Sequence, residues 1–276
     1  MELFLNEVKM VKSSIITVLF LSVFLNTTKA QVFWSEVFDN NCAANCKPDT
    51  YNGPNGKWTV MTPTTTTEGP DANDWFISYS EETQPVGNCQ HDNPTKNSCL
   101  HIGPKLDANG ATYTTGATAK TDKRAMSPTI DCSSRSSIKL AFDFISTADV
   151  ADMFPLDHCD LEYSADNGTT WTLLSAKLRA YNCNDPIVMW RLMEIQLPPS
   201  ADNNPTVKIA FRWVNEESGG YPVSFAVDNI RLSVETALST GTIPGAPFCA
   251  CSAIRVPYSS SGILFINGNV FTAQLS

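Results

Sequence analysis

The sequence predicts an all-β fold with mostly antiparallel strands, on the basis of two alternating segments and the lack of any sustained helical period. Residues 138–144 alternate apolar with other side chains, and residues 207–213 repeat this pattern far along the chain. Between residues 32 and 234, short apolar runs are separated by Gly, Pro, Asn and Asp. Antiparallel strands in this number, over roughly 200 residues, close as a sandwich or a barrel.

A tight hairpin is predicted over residues 164–171, which read Ser-Ala-Asp-Asn-Gly-Thr-Thr-Trp. Asn167 and Gly168 supply the positive-φ residues that such a turn needs. The serine and the aspartate before the turn are expected to accept hydrogen bonds from turn amides. Trp171 is expected to cover the hairpin from the returning strand. The segment therefore predicts a structural hairpin and not a catalytic loop.

Four segments are predicted along the chain. The first has the layout of a secretory signal peptide, because Lys9 and Lys12 precede an apolar stretch that leads to small residues ending at Ala30. That stretch is shorter than the roughly 20 residues of a permanent anchor, so the mature chain is expected to lack a membrane span. Fewer than about 40 residues rarely bury a core alone, so the last segment is expected to be an incomplete module. The predicted segments are a signal peptide 1–30, a β-sandwich 31–236, a linker 237–248 rich in Ser, Thr, Gly, Pro and Ala, and the start of a second β module 249–276.

The net charge of the chain limits the kinds of partner that can be expected. The formal net charge is −9 at pH 7, which repels phosphate backbones and disfavours nucleic acid. An acidic excess in an exported domain is compatible with bound calcium, and equally with simple colloidal solubility. The expected location is the extracellular space or the cell surface.

Nine cysteines in an exported chain indicate disulfides more than metal or redox sites. Each predicted pair is close in sequence and brackets a turn-rich segment, although other connectivities are compatible with the same spacing. Cys132 is predicted to be unpaired, because it leads into a strand and has no close cysteine neighbour. The predicted pairs are Cys42–Cys46, Cys89–Cys99 and Cys159–Cys183.

The order and spacing of several segments resemble the MAM and reelin-repeat family of jelly-roll modules. The 164–171 hairpin resembles the Asp-box found on the reelin side of that family, whereas the cysteine positions depart from the usual MAM set. Together with the 240–245 segment, the combination resembles modular surface proteins exported by Bacteroidetes. The resemblance implies a jelly-roll β-sandwich, a role in adhesion or ligand binding, and in many members a structural calcium ion. The matching segments are 34–38, 71–75, 125–130, 138–144, 190–197, 207–213 and 224–230.

Calcium is the cofactor that the acidic residues at these segments predict. It takes six to eight oxygen ligands, many of them from carboxylates, and the first and last strands of a jelly roll can be neighbours. The apolar residues of 225–227 and of 230–234 lie in opposite phases, so a bulge is expected near Asp228. The alternative is that these are ordinary surface carboxylates near turns. The candidate ligands are Glu36, Asp39, Asp74 and Asp228.

The sequence predicts a non-enzymatic protein. Neither a nucleophile elbow nor a zinc-protease signature occurs, and the three histidines lack catalytic or metal-ligand spacing. The tryptophans at 58, 75, 190 and 213 are expected in the core and not in a sugar-stacking platform. The predicted function is a secreted or cell-surface binding or adhesion module that holds a glycan or protein ligand at loops on one end of the sandwich. The alternatives are an accessory domain of a secreted hydrolase or protease whose catalytic part lies outside this sequence, and a pure spacer.

Overall fold

The computed structural model shows an all-β chain, as predicted. Within the described residues it has twelve β-strands and two short 3₁₀ helices, at Pro199–Ala201 and Ala117–Ala119, and no α-helix. None of the described helices is long and apolar enough to span a membrane. The described residues are 29–39, 46–64, 66–78, 98–105, 113–146, 157–178, 190–215, 225–241 and 257–261. The strands are β1 Lys29–Glu36, β2 Thr59–Met61, β3 Asp74–Ser78, β4 Cys99–Gly103, β5 Thr121–Met126, β6 Ile138–Ser146, β7 His158–Ser164, β8 Thr172–Ser175, β9 Arg191–Gln196, β10 Lys208–Asn215, β11 Phe225–Thr240 and β12 Tyr258–Ser261.

The strands form two antiparallel sheets that pack as a β-sandwich. The seven-stranded sheet has the order β3-β4-β11-β6-β9, with β1 and β12 also paired to β11. The five-stranded sheet has the order β2-β5-β10-β7-β8. The ring centroid of Phe211 of β10 lies 5.2 Å from that of Phe142 of β6, edge to face, and 5.8 Å from that of Phe225 of β11. The inner faces of the two sheets therefore meet through aromatic side chains.

The core follows from the alternation in the sequence. Leu140, Phe142 and Phe144 project from one face of β6 and are buried, and the inward residues of β10 are buried in the same cluster. Burying one such side chain stabilises the fold by about 1.5–3 kcal/mol. The four tryptophans predicted to be internal are all at most 1 % exposed, so that prediction is confirmed.

A second, smaller apolar cluster lies on the outer face of the seven-stranded sheet. Ile145 and Ala226 belong to it, and each alternates with a core residue of its strand, so each points away from the main core. Trp190 and Cys99 complete the cluster. This part of the outer face is thus buried and not open to solvent.

The predicted hairpin is confirmed between β7 and β8. Asn167 and Gly168 have φ of 59° and 90°. The Gly168 amide donates to the Ser164 hydroxyl at 2.8 Å, and the Thr170 amide donates to Asp166 Oδ1 at 2.8 Å. The indole of the following tryptophan donates to the Gly168 carbonyl at 3.1 Å. The likeness to an Asp-box stays a resemblance.

The cysteine predictions are partly wrong. Cys159 is a buried thiol of the main core. Cys99 is also a thiol; it lies in the outer-face cluster and donates to the Ser78 carbonyl at 3.7 Å. The predicted pairs Cys89–Cys99 and Cys159–Cys183 are therefore corrected. Cys132 is a buried thiol, as predicted. Cys46 is disulfide-bonded, and Cys42, its predicted partner, lies outside the described residues, as do Cys89 and Cys183.

Strand pairing crosses the predicted segment boundaries. Strand β1 begins at Lys29, within the predicted signal peptide, and pairs there with Thr236. Residues 237–240 of β11, within the predicted linker, pair with β12. The division into modules stays a prediction.

Candidate functional site

Glu36 is the last residue of β1, which pairs with the long strand β11. The register pairs it with Ile230 of β11, and it is fully buried. Its Oε1 accepts hydrogen bonds from the Phe38 amide at 3.0 Å and from the Tyr51 hydroxyl at 2.6 Å, and Oε2 accepts one from the Trp58 indole at 3.4 Å. Burial, and then the Glu36 carboxylate, raise the pKa of Tyr51. Glu36 therefore already anchors the chain that follows β1, where Phe38 has a positive φ of 53°.

The bulge predicted near Asp228 is confirmed. The pairing of β11 with β6 shifts between Asp228 and Arg231, and Asn229 has a φ of 50°. The bulge brings the apolar residues on its two sides into the same core. It also leaves Asp228 directly opposite Asp143 of β6.

Asp143 is a residue that the sequence analysis missed. It is fully buried and accepts a hydrogen bond from Asn229 Nδ2 at 3.0 Å. The signal in the sequence is an acidic residue inside the apolar strand 138–144. Only the register with β11 shows that this acid faces a second one.

Asp228 lies in an unfavourable setting for a negative charge. It is 1 % exposed, and no atom donates a hydrogen bond to its Oδ1. Burial raises its pKa well above the ordinary value, and the carboxylates of Asp143, Asp39 and Glu36 raise it further, against one hydrogen bond from the Asn229 amide. Asp39 lies at the surface beside this group. Its own pKa is raised by desolvation, against a hydrogen bond from the Ser98 backbone.

Asp74 is not part of this group, which corrects the predicted set of four ligands. It pairs with Gly103 at one end of β3, and its carboxylate lies 2.6 Å from Lys47 Nζ and 3.4 Å from Lys123 Nζ. The registers of β3, β4 and β11 place its backbone on the order of 15 Å from that of Asp228. Two carboxylates share one calcium only when each oxygen lies about 2.3–2.6 Å from it.

The remaining acids fit calcium in their chemistry. Asp228 has a buried oxygen that accepts no hydrogen bond. The groups around it are carboxylates, whose hard oxygen atoms are the ligands that calcium prefers. In the described part of the chain, no three His, Cys, Asp or Glu side chains converge as a ready cage for a metal ion. A cation here would therefore also need main-chain oxygens or water.

The outer face of the five-stranded sheet carries a second polar arrangement. Asp122 and Arg124 of β5, Arg212 of β10 and Glu162 of β7 alternate with core residues and so project outward. Arg212 binds Asp122 through two hydrogen bonds, Nε to Oδ1 at 2.7 Å and Nη2 to Oδ2 at 2.6 Å. Arg124 forms an ion pair with Glu162, and Arg212 Nη1 lies 3.7 Å from the same carboxylate. We call these four residues the charged row.

The charges of the charged row are compensated within it. Burial alone would raise the pKa of Asp122, but hydrogen bonds from Arg212 and from the Thr66 hydroxyl outweigh burial and hold that pKa below its ordinary value. The Arg124 guanidinium lies over the Trp171 ring, 4.7 Å from its centroid. Arg212 is the most accessible member, with 27 % of its side chain exposed. The row thus presents polar atoms to solvent beside a half-buried indole.

The charged row was also missed from the sequence. Its members lie on three strands that are distant in sequence and become neighbours only through the strand order β5-β10-β7. The available signal was weak: Asp122 and Arg124 are two residues apart in 121–126, and ionisable residues occupy alternate positions in 158–162.

Each of the two described histidines lies beside a polar side chain. His101 Nε2 lies 2.6 Å from the Ser78 hydroxyl, but His101 is fully buried. That burial lowers its pKa to about 4. His158 Nε2 lies 3.7 Å from Asp160 Oδ2 on the outer face of the five-stranded sheet.

Residues 97–233 match the family Reelin subrepeat B, which agrees with the reelin side of the resemblance in the sequence. The chain is similar in structure to the K1 cleaved adhesin domain of Lys-gingipain from Porphyromonas gingivalis, at 16% identity and a TM-score of 0.36, covering 72% of this chain and 96% of that one. The K3 cleaved adhesin domain of the same protein is 14% identical, with a TM-score of 0.38, and the match covers 73% of this chain and 98% of that one. The family 11 carbohydrate-binding module of a Clostridium thermocellum cellulase is 16% identical, with a TM-score of 0.36, and the match covers 73% of this chain and 95% of that one. Among curated proteins, none matches the sequence.

Proposed function

We propose that this chain is a non-catalytic binding or adhesion module of a protein exported to the cell surface or the extracellular space. The observation that carries the proposal is the charged row on the outer face of the five-stranded sheet, beside Trp171. A binding site needs a few fixed polar groups next to an apolar or aromatic surface. This face offers both: the polar groups lie on strands, and Trp171 directly precedes β8.

The compensated charges indicate the kind of ligand. A strongly charged partner would have to break the Arg212–Asp122 or Arg124–Glu162 pair, and breaking a buried pair is costly. A neutral polyhydroxylated glycan, or a polar protein loop, can instead use the hydrogen-bonding positions that these pairs leave open. The indole of Trp171 supplies a surface for stacking. The expected ligand is therefore uncharged and polar.

The test is a binding screen of the purified chain against a glycan array and immobilised matrix proteins. We expect binding to at least one class, with about a tenfold or greater loss for Arg212→Ala and Trp171→Ala. Lys139→Ala is the matched control, because Lys139 lies on the other sheet and is paired only loosely with Glu194 at 3.9 Å. Equal binding by all three variants would exclude this face, and a chain that binds nothing would support a spacer role.

A further inference from the structure

We propose that Trp171 forms a stacking subsite for the C–H face of an uncharged pyranose ring, and that Arg124 is the positioning residue that supports the indole from beneath. This inference rests on the binding function proposed for the outer face of the five-stranded sheet. It adds the ligand class and a division of roles: Trp171 and Arg212 contact the ligand, whereas Arg124 acts through Trp171.

The side chain of Arg124 reaches across β10. It starts on β5, and its Nε binds Glu162 of β7, while β10 lies between these two strands. Ala210 of β10 pairs with Glu162 and alternates with core residues, so it projects from the same outer face, yet it is fully buried. Protein atoms therefore cover the sheet at this point, and Arg124, itself 7 % exposed, is part of that cover.

Trp171 lies on the solvent side of Arg124. The centroid of its ring is 4.7 Å from Arg124 Cζ. Arg124 is buried and Trp171 is only half-buried, so the guanidinium is the inner partner and the indole is the outer one. The other five of the six tryptophans are all buried. Among the described residues, the ring face of Trp171 that points away from Arg124 is thus the tryptophan surface available to a ligand.

The 164–171 hairpin fixes the direction of the indole. Nε1 of Trp171 donates to the Gly168 carbonyl at 3.1 Å, so the ring N–H is already used inside the turn. Gly168 has a φ of 90°, and Asp166 holds the turn by accepting hydrogen bonds from the amide and the hydroxyl of Thr170. A ligand on the outer ring face therefore meets carbon atoms. Such a surface suits the C–H groups of a pyranose ring.

Arg212 supplies polar contacts beside the indole. It is the direct cross-strand partner of Arg124, so the Cβ atoms of the two residues lie about 4.5–5.5 Å apart. Asp122 accepts hydrogen bonds from two of the five N–H donors of the Arg212 guanidinium. The remaining donors can bind hydroxyl oxygens at the rim of a ring that stacks on Trp171. An uncharged ring needs no further charge from the charged row.

A guanidinium is required at the position of Arg124. Its planar group binds Glu162 and also lies against an aromatic ring, whereas a lysine ammonium is a strongly hydrated point charge that cannot do both. Arg124→Lys therefore keeps the charge and removes the support of the indole. Arg135→Lys is the matched control, because Arg135 Cζ lies 4.2 Å from the ring centroid of Phe33, which belongs to β1 of the other sheet.

The first measurement needs no ligand. Limited oxidation with N-bromosuccinimide, followed by peptide mass mapping, should modify Trp171 before the five buried tryptophans. Acrylamide should quench the tryptophan fluorescence of Arg124→Lys more strongly than that of the wild-type chain, because the inner face of the indole becomes accessible. Arg135→Lys should be quenched like the wild-type chain. An unchanged quenching constant in Arg124→Lys would show that Arg124 does not support the ring.

The second measurement is isothermal titration with cellohexaose, xylohexaose and mannohexaose, which are uncharged chains of pyranose rings. We expect at least one to bind, and the affinity should fall about tenfold or more in Trp171→Ala and about tenfold in Arg124→Lys, since the unsupported ring must be ordered on binding. Arg135→Lys should bind like the wild-type chain. Glu162→Gln, which weakens the hold on Arg124, should change quenching and binding in the same direction, and it replaces Arg124→Lys if that variant does not fold.

The outcomes separate this subsite from the wider binding function. Binding that is lost in Arg212→Ala and kept in Trp171→Ala would leave the face as a binding site and remove the stacking subsite. Binding kept in both variants would overturn the face and the subsite together. A loss of binding in Arg124→Lys with unchanged quenching would make Arg124 a ligand contact. If no hexasaccharide binds and an immobilised matrix protein binds through Trp171, the ligand class is wrong and the binding function stands; a chain that binds none of these probes contradicts both.

Discussion

Arg212 binds Asp122 through two parallel hydrogen bonds across neighbouring strands, Nε to Oδ1 at 2.7 Å and Nη2 to Oδ2 at 2.6 Å. The planar guanidinium matches the carboxylate, so the pair fixes orientation as well as charge. Asp122 keeps only 5 % of its side chain exposed, whereas Arg212 keeps 27 %. The buried charge of Asp122 therefore relies on hydrogen bonds from Arg212, whereas the charge of Arg212 is also partly solvated by water.

The first prediction concerns this pair and stability. Arg212→Leu leaves a buried Asp122 without two of its donors, and we expect a loss of about 1–3 kcal/mol in the free energy of unfolding at pH 7. The folded-state pKa of Asp122 lies below its ordinary value, so this contribution is present above about pH 4 and is lost as the pH falls through the folded pKa. Urea unfolding of both chains at pH 7 and near pH 3 measures the difference.

The control for the pair is a double-mutant cycle with Asp122→Asn. If the interaction is direct, the double variant should lose less than the two single variants combined. Additive losses, or a loss from Arg212→Leu that is unchanged near pH 3, would mean that Arg212 stabilises the sheet through packing alone.

The elements that were predicted correctly depend on short stretches of sequence. The alternation in 138–144 and 207–213 fixes which side chains face the core, because the two faces of a strand alternate residue by residue. The hairpin was predictable because Asn167 and Gly168 suit a positive φ. The bulge at Asp228 was predictable because its flanking apolar residues are out of phase.

The errors concern contacts between distant segments. Whether Asp74 lies near Asp228 depends on the registers of three strands, which no local pattern encodes. The Asp143–Asp228 pair and the charged row arise in the same way, from strand order. The predicted Cys159–Cys183 pair was wrong because nearness in sequence says nothing about which face of its strand Cys159 occupies.

The second prediction tests the packing of the core. Phe211 contacts Phe142, Phe225 and Trp58, and it is fully buried. Phe211→Ala should therefore destabilise the chain by about 3–5 kcal/mol, because it leaves a cavity between the sheets. Leu173 is 52 % exposed, and Leu173→Ala should change stability by no more than about 0.5 kcal/mol. Similar melting temperatures for the two variants would contradict the proposed core.

The third prediction distinguishes thiols from disulfides. Burial raises the pKa of Cys132 to about 12, and it raises that of Cys159 well above its ordinary value. Alkylation requires the thiolate, so iodoacetamide at pH 8 should leave both unmodified in the native chain. Both should react in denaturant without any reductant. Peptide mass mapping measures this, and labelling of Cys159 only after reduction would restore its predicted disulfide.

The last prediction concerns Asp166 in the hairpin. Its carboxylate accepts hydrogen bonds from the Thr170 amide, the Thr170 hydroxyl and the Ser164 hydroxyl, and these lower its pKa to about 2. Because the folded-state pKa lies below the ordinary value near 4, the ionised carboxylate stabilises the hairpin above about pH 4. That contribution is lost as the pH falls from about 4 to about 2. Asp166→Asn should thus lower the melting temperature at pH 6, and the difference should shrink steadily toward pH 2.

Two measurements check the assignment to Asp166. The carboxyl carbon of Asp166, followed by NMR, should titrate near pH 2, well below an ordinary aspartate. Leu173→Ala, on the same hairpin and without a charge, is the control whose effect on melting should not vary with pH. A titration midpoint near 4, or a difference between the wild-type chain and Asp166→Asn that stays constant from pH 6 to pH 3, would show that these hydrogen bonds do not favour the ionised carboxylate. The hairpin would then owe its geometry to Asn167 and Gly168 alone, since their positive φ values match a tight turn without help from the carboxylate.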